Sequence, residues 1–103
     1  MIKVSVLHEN KEGKRFDHDY YVAQHVPQLR QRLGPACKRI EVDRGLSGGQ
    51  PGSRPPFLVM THLFFDSVDA FKAAFAPHAA WLVEDRKHYT DEPPLVQVSE
   101  VVV

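Results

Sequence analysis

In the segment DHDYYVAQHVP, Tyr21 and His25 stand four residues apart, one turn along the same edge of a helix. A phenol beside an imidazole can orient a bound oxygen and move a proton. Histidine does so at neutral pH because its ordinary pKa is about 6.5. The spacing marks His25 as the candidate proton donor or acceptor and Tyr21 as the group that orients a ligand. The bland alternative is a histidine that orients backbone where Pro27 interrupts the helix.

Four further positions join this pair as candidate ligand contacts. His78 follows Pro77 at a helix start, where the helix dipole disfavours added positive charge. Asp85 lies two turns on and Tyr89 one turn beyond that, so His78, Asp85 and Tyr89 could line a cavity mouth. The alternative is a solvated helix face with a capping side chain. His62 sits mid-strand in FLVMTHLFF, as a hydrogen-bonded core histidine or as a fourth ligand contact.

Other chemistries find no support in the spacing. Six histidines raise the question of metal, but there is no HxH, no HExxH and no Cys pair, so no metal site is expected. Gly45, Gly48, Gly49 and Gly52 precede a strand rather than a helix, unlike a dinucleotide-binding turn. Cys37 is the single cysteine and reads as structural. No organic cofactor is expected.

The elements that must position these side chains are legible. Ile2, Val4 and Val6 alternate with Lys3 and Ser5, a half-buried strand. Residues 17–33 form a helix with Asp17 as N-cap and an apolar stripe of Val22, Val26, Leu29 and Leu33. Pro27 should kink or split it after His25, and Gly34-Pro35 ends it. Residues 36–44 are a second strand, residues 57–65 a central one, and residues 95–103 a last one. Between the second and third lies GLSGGQPGSRPP, residues 45–56, expected to be a flexible loop. Asp66 or Ser67 caps a helix over 68–75, and Pro77 starts another that carries Trp81, Leu82 and Asp85.

The order is β-α-β-β-α-β, an α+β, ferredoxin-like arrangement of one four-stranded antiparallel sheet with helices on one face. The other face, carrying Lys3, Ser5, Arg39, Glu41, Asp43, Gln97 and Ser99, then needs a cover. A homodimer packed face to face, closing a dimeric α/β barrel, would supply it. The whole chain, residues 1–103, reads as one domain.

Composition narrows the partners. Lys plus Arg and Asp plus Glu number 13 each, a net charge of zero, which attracts neither phosphate backbones nor anionic lipid over a broad surface. No apolar run approaches the ~18 residues of a membrane span. No nucleic-acid or membrane partner is expected, and the cytoplasm is the expected location.

The motifs FDHDYYVAQHVP (16–27), EVDRGLSGGQPGS (41–53), HLFFDSVDAF (62–71), PHA (77–79) and YTD (89–91) resemble the EthD family, named for ethyl tert-butyl ether degradation. The resemblance spans almost the whole chain, and the Tyr-Tyr pair followed by His-x-Pro is its most specific part. It implies a dimeric α/β barrel. Relatives accompany a cytochrome P450 system for ether breakdown, and the wider superfamily holds muconolactone-type isomerases, cofactor-free monooxygenases, polyketide cyclases and haem-degrading enzymes. The Tyr/His-x-Pro helix is similar to that of methylmuconolactone methylisomerase, which points toward proton transfer. Gln28 and His88 depart from the family pattern, where Leu and Asn are usual.

The function expected is therefore binding of a small, oxygenated, apolar compound in a catabolic pathway. Conversion would use acid/base chemistry of the isomerase, lactone or oxygenation type, with no cofactor. The competing expectation is a non-catalytic ligand-binding or accessory dimer that assists a degradation pathway.

Overall fold

A computed structural model describes residues 1–103. Strand β1 (Ile2–Glu9) lies at the centre of the sheet, between β3 (Phe57–Phe65) and β4 (Leu95–Glu100), with β2 (Arg39–Arg44) on the far side of β3. All three pairings are antiparallel. This is the ferredoxin-like α+β topology expected from the order of elements.

Alternation divides the sheet into two faces. Val4, Val59, Leu63 and Phe65 point to the helices and are essentially excluded from water. Leu29 and Leu33 of the first helical segment pack on them, with Phe71, Phe75, Trp81 and Leu82 from the second. The opposite face carries Lys3, Ser5, His62, Glu41, Gln97 and Ser99 in cross-strand rows.

The first helical segment differs from a simple helix in a way that matters for the site. A short α1 (His18–Tyr20) is capped by Asp17, whose carboxylate accepts from the Tyr20 N–H at 3.0 Å. It passes into a π-helical turn (Tyr21–His25), in which the Val26 N–H reaches the Tyr21 carbonyl, and then into α2 (Val26–Leu33). Pro27 cannot donate to the carbonyl four residues back and its ring crowds that carbonyl, so a widened turn before it relieves both problems. The extra residue in the turn rotates the helix face. Val22, expected in the apolar stripe, is exposed, and Tyr21 and His25 are buried in its stead.

The second helical segment is α3 (Val68–Phe75), capped by the Ser67 hydroxyl on the Ala70 N–H at 3.1 Å, and α4 (Ala79–Arg86). A 3₁₀ turn, Ala76–His78, joins them with Pro77 inside it. Of the two cap candidates it is Ser67 that serves, because its backbone is extended while its oxygen faces the first turn.

Two strands are shorter than expected. β2 begins at Arg39 after the 3₁₀ turn Gly34–Ala36, and β4 ends at Glu100, leaving Val102 and Val103 fully exposed. The loop 45–56 is tied back on itself and on the sheet rather than free. Gly48 N–H donates to the Ser53 carbonyl at 3.1 Å, and Asn10 donates to the Pro55 and Pro56 carbonyls. No helix of the chain is long and apolar enough to cross a membrane.

Candidate functional site

A cavity of about 280 Å³ lies between the helices and the sheet, at the small end of the range for ligand sites. Most of its wall is apolar, with Val4, Leu29, Leu63, Phe71 and Phe75 among the contributors. The polar groups in the wall are few: Tyr21, His25, Thr61, Arg86 and Tyr89.

His25 is held from several sides. Its Nδ1 lies 2.7 Å from Asp85 Oδ2, and the other oxygen of that carboxylate accepts from the Tyr20 hydroxyl at 2.7 Å. The imidazole is nearly parallel to Trp81, with 5.2 Å between ring centres, and to Tyr21 at the same separation. The Arg32 guanidinium covers Trp81 in turn, 4.4 Å from its ring centre. A ring clamped in this way has one orientation.

Its protonation follows from two opposing influences. Burial lowers the His25 pKa and Asp85 raises it, and burial is the larger, so the ring is neutral near pH 7. The close contact with Asp85 is then a hydrogen bond from Nδ1–H rather than an ion pair. That tautomer leaves Nε2 with a free lone pair. Nε2 has no partner within the chain, and His25 faces the cavity. Such an arrangement is chemically able to accept a proton at Nε2, with a carboxylate beside Nδ1 to balance the imidazolium that would result.

Tyr21 and Thr61 satisfy one another, hydroxyl to hydroxyl, at 2.6 Å. Burial pushes the Tyr21 pKa up to about 12, so the phenol stays protonated. Tyr89 is placed by the chain after α4. The Asp17 N–H donates to the Tyr89 carbonyl at 2.8 Å, and Arg15 binds the Lys87 carbonyl and Asp91. Phe16 and Thr90 form a bridge beside it. These ties swing the Tyr89 ring against Tyr21 and His25.

The structure thus brings together Tyr21, His25, Asp85 and Tyr89. It separates the other two candidates from them. His62 lies on the opposite sheet face, with Nδ1 2.8 Å from Ser5 Oγ and Nε2 3.6 Å from Asp43. Strand alternation is the reason, since Thr61 and Leu63 take the helix-facing positions on either side of it. His78 stays outside the cavity, with Nδ1 3.5 Å from Arg32. The Asp85 carboxylate turns to His25, not to His78, because the π turn carries His25 inward. No residue of the loop 45–56 lines the cavity.

Four contributors were not among the expected residues: Tyr20, Thr61, Arg86 and His8. His8 is wholly buried against Phe16, Tyr21 and Tyr89, and neither ring nitrogen has a partner. Burial first, then the charge on Lys14, holds its pKa down at about 4. The signal for His8 was present, since it continues the alternation Ile2, Val4, Val6 on the buried face.

No group of His, Cys, Asp and Glu is gathered in a way that could hold a metal ion.

Comparison with known proteins agrees with the fold. The family model described as EthD domain matches residues 11–93. An EthD-like protein from Ralstonia eutropha JMP134 has a solved structure that is 44% identical, with a TM-score of 0.94 over 99% of this chain and 92% of that one. An ethyl tert-butyl ether degradation (EthD) family protein from Bacillus halodurans C-125 is 20% identical over 99% of both chains, with a TM-score of 0.74. A protein from Bacteroides fragilis described as dimeric, of ferredoxin-like fold and unknown function, is 13% identical over 97% of this chain and 95% of that one, with a TM-score of 0.60. No curated protein matches the chain.

Proposed function

The chain belongs to the EthD family, and from that premise we propose that it binds a small, oxygenated, largely apolar compound and moves a proton on it through His25. The observation that carries the reading is the neutral His25 ring, fixed at 2.7 Å by Asp85, in the wall of an apolar cavity. A base so placed serves isomerisation or lactone chemistry: it takes a proton from carbon beside a carbonyl and returns it elsewhere. Tyr21 shapes the wall beside His25, and Tyr89 offers a hydroxyl with no partner in the chain. Asp85 acts through His25 and does not line the cavity.

The test uses proton exchange, which needs no knowledge of the natural substrate. The protein is incubated in D₂O near neutral pH with α-angelica lactone and with benzylacetone, and loss of the protons beside the carbonyl is followed by NMR. The wild type accelerates exchange or double-bond migration, and His25→Ala lowers the rate at least ~100-fold. Saturable binding with no exchange above background would contradict proton transfer and leave a non-catalytic binding protein.

The open sheet face supports a homodimer. Ser5 and His62 are already largely shielded there, and Leu95 of the edge strand β4, opposite Leu7, is exposed on the same face. Packing two such faces together would close the α/β barrel. Sedimentation equilibrium at micromolar concentration should return twice the chain mass, and a monomer there would rule the barrel out.

A further inference from the structure

Arg86 is the one charged side chain among the residues that line the cavity. It ends α4, directly after Asp85. Some basic groups of the chain lie beside carboxylates, such as Arg15 at Asp91, Lys14 at Glu92, Lys38 at Asp66 and Lys87 at Glu84, and others have no such partner. The Arg86 guanidinium makes no ion pair and no hydrogen bond within the chain, and no carboxylate lines the cavity with it. Its place in the last turn of a helix suits a cation. That placement alone does not explain why this half-buried side chain joins an apolar wall that offers it no partner.

Two neighbours sharpen the reading. Tyr89 follows three residues later, lines the same cavity, and has a hydroxyl with no partner in the chain. Burial holds its proton far above the ordinary phenol range, so it acts as a donor. The His25 Nε2 is an acceptor in the same cavity. The cavity is therefore an apolar box with one cation and one free hydroxyl, and the planar fork of arginine matches the two oxygens of a carboxylate.

We propose that Arg86 and the Tyr89 hydroxyl form a carboxylate subsite, so that the ligand is a small apolar carboxylic acid. Its carboxylate sits on Arg86, and its carbon skeleton lies among Leu29, Leu63, Phe71 and Phe75, within reach of His25. This rests on the cavity being the ligand site, but not on His25 performing proton transfer.

The test is calorimetric titration of the whole protein at pH 7 with a matched pair, hydrocinnamate and its neutral isostere hydrocinnamamide. The wild type binds the acid about ten-fold or more tighter than the amide. Arg86→Gln brings the acid down to the amide, Arg86→Lys keeps most of the preference, and His25→Ala leaves the preference in place. Equal binding of acid and amide to the wild type, or a preference that survives Arg86→Gln, overturns the subsite while the cavity reading stands. If neither compound binds at millimolar concentration, the cavity reading falls and the subsite with it. Loss of exchange in His25→Ala beside an intact acid preference separates this inference from the proton-transfer reading.

Discussion

Asp85→Asn slows proton exchange by two to four orders of magnitude, about 10²–10⁴-fold, while ligand binding changes little. The free protein keeps a neutral His25, which asks no charge of its partner. The demand arises during the reaction, when Nε2 takes a proton and the ring becomes a cation. In the wild type that cation forms 2.7 Å from a carboxylate, with little water between them. An amide supplies a dipole where a full negative charge stood. The substitution is close to isosteric and the Tyr20 hydroxyl can still hydrogen-bond to it, so folding should survive. Rates from the D₂O assay, compared with the affinity for hydrocinnamate, separate the two effects. A fall in affinity with no fall in the rate at saturation would mean that Asp85 shapes the cavity and does nothing for the base.

Acid weakens the fold through His8, and His8→Phe removes that weakness. The ring is neutral in the folded chain down to about pH 4, whereas the unfolded chain takes up the proton near 6.5. Between those values the unfolded state binds more protons, so stability falls as pH falls. Above about 6.5 both states are neutral at this group and its contribution is flat. The full shift corresponds to roughly 3 kcal/mol lost on going from pH 7 to pH 4. Burial of His25 and His18 acts in the same direction, so the wild type loses more than His8 alone accounts for. A phenyl ring keeps the edge contacts with Phe16, Tyr21 and Tyr89 and discards two nitrogens that have no partners. Urea melts at pH 7 and pH 4.5 give the comparison, with His8→Leu as a second variant in case the larger phenyl strains its neighbours. An unchanged pH slope in both variants would show that His8 is not the group responsible.

Much of the scaffold was legible because it depends on local rules. The period-two alternation in β1, the Asp17 cap and the Pro-containing turn before α4 are each decided within a few residues. The helix edge holding Tyr21 and His25 was visible for the same reason. The apolar stripe was misplaced at Val22 because a regular 3.6-residue period was assumed, and the π turn ahead of Pro27 breaks it. The partner of His25 was out of reach. Asp85 is sixty residues away, and its pairing depends on how two helical segments cross the same sheet. His78 was the nearer partner by sequence, but the chain puts it outside the cavity, beside Arg32. Two alternating strand faces also explain His62: it belongs to the row Ser5, His62, Glu41, which the register places away from the helices. Arg86 carried no sequence signal apart from standing beside Asp85, since an arginine in a last helical turn is ordinary.

The measurement that bears most directly on the account is nitrogen-15 NMR of the histidine side chains in the uniformly labelled wild type at pH 7. His25 is predicted to be neutral, with the proton on Nδ1 and a bare Nε2 whose resonance shifts when hydrocinnamate is added. An imidazolium at pH 7, or a neutral ring with its proton on Nε2, would contradict the assignment of His25 as the base.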